Sequence, residues 1–312
     1  MTRWQTWVVA AGGIVLACAT QGEARKTDGT LGVPTAKPSY ALQAGGRALR
    51  FAVVGDYGVD STAESAVARL VAGWNPDFVI TTGDNNYPLG LAATVDRNIG
   101  RYYSHYIGNY LGTFGKGATE NRFWPSPGNH DWYGPTRLEP YTQFFTLPGN
   151  ERYYDVDLGL LQLFSLDSDE HEPDGIQPNS VQAQWLRARL AASKACFKLV
   201  YFHHPPYSSG SHGNNVDLQW PFKDWGVDVV LTGHDHTYER LEKDGLTYVV
   251  NGLGGAPLYD FKVVIPESRF RYNASAGAQL VTVSSKGMTL ELRDTRDQVV
   301  DSFKIAKNCA PA

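Results

Sequence analysis

Five short polar clusters hold most of the metal-binding chemistry in this 312-residue chain. They are Asp56, Asp84, Asn129–His130, His203–His204 and His234–Asp235–His236. Asp, Asn and His are side chains that suit first-row transition metals. Five of the eight histidines fall in these clusters, and His212 lies just beyond one of them. Histidines scattered through a core would not collect in this way. Each cluster alone is weak. A Gly-Asp pair after an apolar run is commonly a capped turn, and PGNHD at 127–131 reads equally well as a surface loop. The pair His234 and His236 carries more, because residues i and i+2 of an extended segment point to one side. By the same alternation His204 faces away from His203, as an outer or structural residue. Asp235 faces away from its two neighbours and is placed to orient a ligand imidazole from behind. His105 and His171 lie outside every cluster and receive no role.

Something must bring the clusters together. From Arg50 onward, apolar runs alternate with helical patterns. The runs are FAVVGD from 51, FVITTGD from 78, LLQLFSLD from 160, KLVYFHH from 198 and VDVVLTGH from 227. Ser61 or Thr62 caps a helical pattern over 62–74, and 180–193 carries apolar residues at helical spacing. Continuous apolar strands between helices predict a buried, largely parallel α/β sheet. Polar groups at the carboxyl ends of such strands share one crevice. After residue 246 the helices stop. The runs at 246–255, 279–294 and 298–307, with a hairpin turn at Ser285-Lys286-Gly287, predict an antiparallel end forming a second sheet packed on the first. The Gly- and aromatic-rich segment 88–126 predicts helix around 95–111 and a wall of the site. Tyr102, Tyr103, Tyr106, Trp124, Trp132 and Tyr133 either stack on a substrate or simply pack.

The clusters also carry a resemblance. GDYG at 55–58, GDNNY at 83–87, GNHD at 128–131, VYFH at 200–203 and GHDH at 233–236 match, in order, the five blocks of the metallophosphoesterase superfamily. Within it the chain resembles the purple acid phosphatases of the small, tartrate-resistant type. The similarity extends to LRFAVVGDYG from 49, QWLRARLAA from 184 and SSKGMTL from 284, and covers most of 49–305. It implies an α/β, mixed α+β fold: a four-layer α/β/β/α sandwich with the metal site at the strand carboxyl ends. In the wider superfamily a histidine two residues after the first aspartate ligates the first metal, and here that position is Gly58. The resemblance implies Tyr87 in its stead, as a phenolate on Fe(III), since a bound cation depresses the phenol's usual pKa of ~10. Asp56, Tyr87 and His236 would hold the ferric ion. Asn129, His203 and His234 would hold a divalent Fe, Zn or Mn, and Asp84 would bridge the two.

The resemblance further implies that His130 acts at the substrate phosphate. It implies that His212, in SGSHG from 209, helps protonate the leaving alkoxide. The implied activity is hydrolysis of small-molecule phosphate monoesters by in-line attack of a metal-bound hydroxide. Two readings stand beside it: a phosphodiesterase or nucleotide hydrolase on the same scaffold, and a non-catalytic phosphate- or metal-binding lipoprotein of the envelope.

Bulk properties narrow the rest. Hydrophobic residues make up 42% and charged residues 19%, ordinary for a globular protein. The net charge of −4 supplies no basic field, so no nucleic-acid partner is expected. Arg3 precedes an apolar run over 7–19, shorter than the ~20 residues of a membrane span and typical of a secretory signal. VLAC at 15–18 is similar to a lipobox that would lipidate Cys18; plain cleavage near Ala17–Ala19 is equally open. The expected organisation is a signal over 1–18, a flexible linker over 19–48 and a catalytic domain over 49–308. Such a protein is exported, to the periplasm or beyond, or held to the envelope by a lipid anchor. In that compartment Cys196 and Cys309 form either a disulfide or two buried thiols.

Overall fold

A computed structural model describes residues 47–309. The expected signal, Cys18 and nearly all of the expected linker lie outside the described residues. Thirteen strands are present: β1 (Leu49–Val54), β2 (Phe78–Thr81), β3 (Phe123–Pro125), β4 (Tyr154–Asp157), β5 (Leu161–Ser165), β6 (Phe197–Tyr201), β7 (Val229–Thr232), β8 (Tyr238–Lys243), β9 (Leu246–Asn251), β10 (Ser268–Tyr272), β11 (Gly277–Ser284), β12 (Gly287–Asp294) and β13 (Val299–Ile305). The helices are α1 (Thr62–Trp74), α2 (Ala92–Val95), α3 (Arg101–Tyr103), α4 (Asn129–Trp132), α5 (Glu139–Phe144) and α6 (Val181–Ala192).

Two mixed sheets result, one in the order β13-β12-β11-β1-β2-β3 and one in the order β10-β8-β9-β7-β6-β5-β4. Side-chain alternation explains the layering. Leu199 and Tyr201 of β6, with Val229 and Leu231 of β7, join the core that also holds Phe51 and Val53 of β1. Val200, Phe202 and Val230 point the other way, into a second core with Leu186 and Leu190 of α6. On the first sheet α1 packs against β11. The layers are therefore helix, sheet, sheet, helix. Both long helices begin as the sequence predicts. Ser61 Oγ accepts from Glu64 N at 3.0 Å while Glu64 Oε2 accepts from the Val59 and Asp60 amides, a reciprocal cap. Ser180 Oγ accepts from Ala183 N at 3.1 Å.

The runs at 279–294 and 298–307 pair antiparallel, as expected, but they form no sheet of their own. β11 pairs with β1, Leu49 opposite Val283, and β9 joins β7 in parallel. The second sheet begins earlier, at β4. β11 is buried along most of its length, so it serves as an inner strand beside β1 rather than as one half-solvated layer. Residues 92–106 are helical in short pieces, interrupted by a π-helical turn over Asp96–Gly100. Most of the candidate stacking rings are packing: Tyr103, Tyr106, Trp124 and Trp132 are buried, and Tyr102 donates to Asp60. Tyr133 alone of the six is exposed, and it lines the cavity that His130 and His212 also line. Cys196 and Cys309 form a disulfide, with Cα atoms 5.8 Å apart.

Candidate metal centre

Asp56, Asp84 and Asn129 follow β1, β2 and β3 in one sheet. His203, His234 and His236 follow β6 and β7 in the other. Three of these residues have left-handed backbone: Asp56 (φ 57°), Asp84 (φ 52°) and His234 (φ 69°). Such conformations cost of order 1–3 kcal/mol each and persist only where the surroundings over-determine them. Here they do. The Asp56 carboxylate accepts from the backbone N of His234 at 3.0 and 3.1 Å. Asp84 Oδ1 accepts from the backbone N of His130 at 2.9 Å. Asp131 accepts from Gly128 N, Asn85 N and Asn85 Nδ2, and Asn85 Oδ1 accepts from Tyr57 and Thr81. The turns that carry the clusters are thus bonded to one another.

The donor atoms fall into two groups. In the first, Tyr87 Oη lies 3.3 Å from Asp56 Oδ1, 2.9 Å from Asp84 Oδ2 and 3.0 Å from His236 Nε2. In the second, His203 Nε2 lies 2.9 Å from Asn129 Oδ1, 3.1 Å from His234 Nδ1 and 3.3 Å from Asp84 Oδ2. One oxygen, Asp84 Oδ2, faces both groups. The far ring nitrogens are tied to backbone carbonyls, His203 Nδ1 to Thr82 O and His236 Nδ1 to Pro257 O. A carbonyl only accepts, so Nδ1 keeps a proton and Nε2 is the nitrogen turned inward, free to ligate once any proton of its own is lost. All seven residues expected from the sequence as ligands meet here.

Charge shows what these groups suit. Asp56 and Asp84 are 0% and 1% exposed, and among the described residues no arginine or lysine lines the cavity above them. Burying carboxylates without cations is costly. In the absence of a metal, protons fill the role. Burial works against a charge on His203, but Asp84 outweighs it and pushes the imidazole up to about 10. Asp84 is correspondingly held far below the usual carboxylate range; its burial is opposed by His203. Burial, then the charges of Asp84 and Asp56, raise the Tyr87 phenol well above its usual value. A buried anionic cluster that retains its protons this tightly is suited to metal cations.

The cavity over the two groups has a volume of about 460 Å³. His130 and His212 both line it. His130 Nδ1 is tied to Pro88 O at 2.7 Å, its ring centre lies 4.2 Å from that of Tyr87, and its Nε2 is 3.9 Å from Asp84 Oδ2. The His212 ring lies 4.0 Å from that of His234. Two expectations need correction. Asp235 orients no ligand imidazole: its partner is Nδ1 of His212, at 2.9 Å. Burial opposes its charge, but hydrogen bonds from His212 and Ser208 hold its carboxyl below the usual range. His204 does not turn away. β6 ends at Tyr201, so strand alternation no longer applies, and His204 lines the same cavity with Nδ1 3.0 Å from Ser168 Oγ. Its ring nitrogen lies within 4.8 Å of those of His203 and His234.

Sequence reasoning missed several supports. Tyr259 stacks on His236 at 4.0 Å, and Asn98 donates to the carbonyls of Gly58 and Tyr87. His171 lines the rim, held by Asp169 at 2.7 Å; His105 packs on Tyr106. Gly58 is where the chain departs from the wider superfamily, and the reason is steric. A Cβ there would lie 1.7 Å from the Asn85 carbonyl oxygen, because the turn that delivers Tyr87 packs directly on it and Tyr87 N donates to Gly58 O. No side chain fits at Gly58 while that turn is in place.

Comparison with known proteins agrees with this geometry. The calcineurin-like phosphoesterase family model matches residues 49–238. The chain is 24% identical over 309 residues to human (Homo sapiens) tartrate-resistant acid phosphatase type 5, covering 85% of this chain and 93% of that one. Among solved structures, a purple acid phosphatase from yellow lupin (Lupinus luteus) seeds superposes with a TM-score of 0.69 at 20% identity, over 86% of this chain and 55% of that one. GAP50, the anchor in the inner membrane complex of Plasmodium, superposes with a TM-score of 0.67 at 18% identity, over 84% and 90%. This chain belongs to the calcineurin-like phosphoesterase family and is of the purple acid phosphatase type within it.

Proposed function

We propose that this phosphoesterase is an exported, binuclear-metal phosphatase that hydrolyses small-molecule phosphate monoesters. The observation that carries the reading is the pair of donor groups joined through Asp84 Oδ2. Asp56, Tyr87 and His236, with the shared Asp84, would hold Fe(III), since two carboxylates and a phenol oxygen are hard donors. Asn129, His203 and His234, with two imidazoles, suit a divalent Fe, Zn or Mn. When bound, the two cations supply Lewis acidity that offsets the phosphate's charge and lowers the pKa of water.

The chain's own residues do the rest. No arginine or lysine lines the cavity among the described residues, and His130 and His212 are two of the side chains placed to meet the ester. The tie from His130 Nδ1 to Pro88 O fixes its ring, leaving Nε2 to donate to a phosphate oxygen when the ring is an imidazolium or to accept from a phosphate hydroxyl when it is neutral. As water oxygen adds to phosphorus and the P–O bond to the leaving group breaks, His212 Nε2 gives a proton to the departing alkoxide and regains one from solvent. A side chain positioned for proton transfer contributes typically 10²–10⁴-fold.

The test is the visible spectrum of the iron-loaded mature protein, with turnover of a monoester and a diester in the same sample. The expected result is a broad violet or pink band, lost in Tyr87→Phe, with faster monoester turnover. A colourless protein holding two non-ferric ions would overturn the role of Tyr87. Faster diester turnover would favour the phosphodiesterase reading. No turnover of either ester by the coloured protein, and none by its His130→Ala variant, would favour a binding role.

A further inference from the structure

The loop Ser208–His212 looks, from composition, like a loose tether: two serines, a glycine, a third serine and the histidine. The structure shows it clamped. Asp235 is fully buried, and its carboxylate accepts four hydrogen bonds from this loop. Ser208 Oγ donates to Oδ2 at 2.5 Å, while Ser211 Oγ (3.2 Å), the backbone N of His212 (3.0 Å) and His212 Nδ1 (2.9 Å) donate to Oδ1. Gly210 passes so close that a Cβ there would lie 2.2 Å from Asp235 Cγ. Ser209 is fixed separately, its N and Oγ donating to Glu239. The ring of His212 nevertheless remains at the cavity, its side chain 43% exposed.

We propose that Asp235 is the positioning residue of proton transfer: it holds His212 so that Nδ1 keeps its proton and Nε2 alone exchanges one with the leaving group. The inference rests on the phosphatase reading above. A carboxylate can only accept, so it fixes which nitrogen carries the resident proton, as a buried aspartate does for the base of a hydrolytic triad. It is chemically unlike the carbonyl that holds His130, because a carboxylate also stabilises positive charge on the ring while Nε2 is protonated. Its place in the chain matters too. Asp235 lies between His234 and His236, so the same three residues that reach the metal site also fix the distance from that site to the proton donor.

Proton donation matters most when the leaving alkoxide is a poor leaving group, so the test compares two esters in metal-loaded protein. For Asp235→Asn, kcat on an alkyl phosphate should fall roughly 10–100-fold, the usual cost of losing such a support. KM and metal content should stay near wild type. On 4-nitrophenyl phosphate, whose leaving group departs without protonation, kcat should fall less than about threefold. In a His212→Ala background the Asp235→Asn change should add nothing on either ester. Equal losses on both esters, or additive losses with His212→Ala, would overturn the proposal. Should Asp235→Asn lose metal, Ser208→Ala decides: it removes one of the four bonds that hold the carboxylate without touching a candidate ligand, and the leaving-group dependence should reappear in weaker form. A flat response there overturns the inference. A wild-type protein that turns over neither ester refutes the phosphatase reading itself, which a flat Asp235→Asn response with active wild type does not.

Discussion

The two donor groups face one another across Asp84 yet offer a cation different surroundings. Around Tyr87 the donors are mostly oxygens, two carboxylates and a phenol, with one imidazole. Around His203 they are two imidazoles and an amide, with the shared carboxylate as the single anion. The difference has a steric origin. At Gly58 the Tyr87 turn fills the space a side chain would need, so a phenol oxygen stands on that side only. Asymmetry of this kind lets one site bind two cations of unlike charge and keep them in order.

The largest effect should come from the shared group. Asp84→Asn should lower kcat/KM by at least about 10³-fold, as loss of a preorganised charge does, and should empty both positions by elemental analysis. A variant that keeps two ions and most of its activity would show that the groups are independent. A second measurement separates the groups by their protons. At pH 7 the metal-free protein carries a proton on His203, pushed up to about 10, and one on Tyr87, raised well above its usual value. Cations must displace both, so affinity should rise as pH rises toward 10 and fall as it drops. Calorimetry in buffers of different ionisation enthalpy should find at least about two protons released on full loading, since His236 is also raised above its usual value, its burial outweighed by Asp56, and about one fewer in Tyr87→Phe. Unchanged release in that variant would mean that Tyr87 keeps its proton. The smallest effect on the site should come from the Cys196–Cys309 disulfide, which touches neither group. Cys309→Ser should cost about 2–4 kcal/mol of stability in thermal or denaturant unfolding and leave colour and turnover as they were.

Much of this arrangement is legible in the sequence because both signals involved are local. An apolar run followed by Gly-Asp or Gly-His is visible within eight residues, and β1, β2, β6 and β7 lie where those runs predict. The exchange of a histidine for Tyr87 is legible through family resemblance, since spacing alone does not say that a phenol 31 residues from Asp56 reaches it. What stayed hidden depends on distant partners or short elements. β3 has three residues, too few for a pattern. Asp235 meets a different imidazole from the one its position predicts, because that partner lies 23 residues upstream in a loop without periodicity. His204 departs from alternation because β6 ends before it, at Tyr201. The C-terminal runs do not reveal which open edge they will fill.

That last point bears on the order in which the molecule can be built. Asp56 hangs from β1, and β1 lies between β2, its near neighbour in sequence, and β11, with Leu49 opposite Val283. During synthesis β1 therefore waits for almost the whole domain before its second flank is filled, and pairings of such long range form slowly. A chain released before β11 would retain every one of the five motifs and still lack the strand that seats the first of them. Assembly of the centre is thereby tied to completion of the chain, a built-in checkpoint that keeps an unfinished product from offering a finished site.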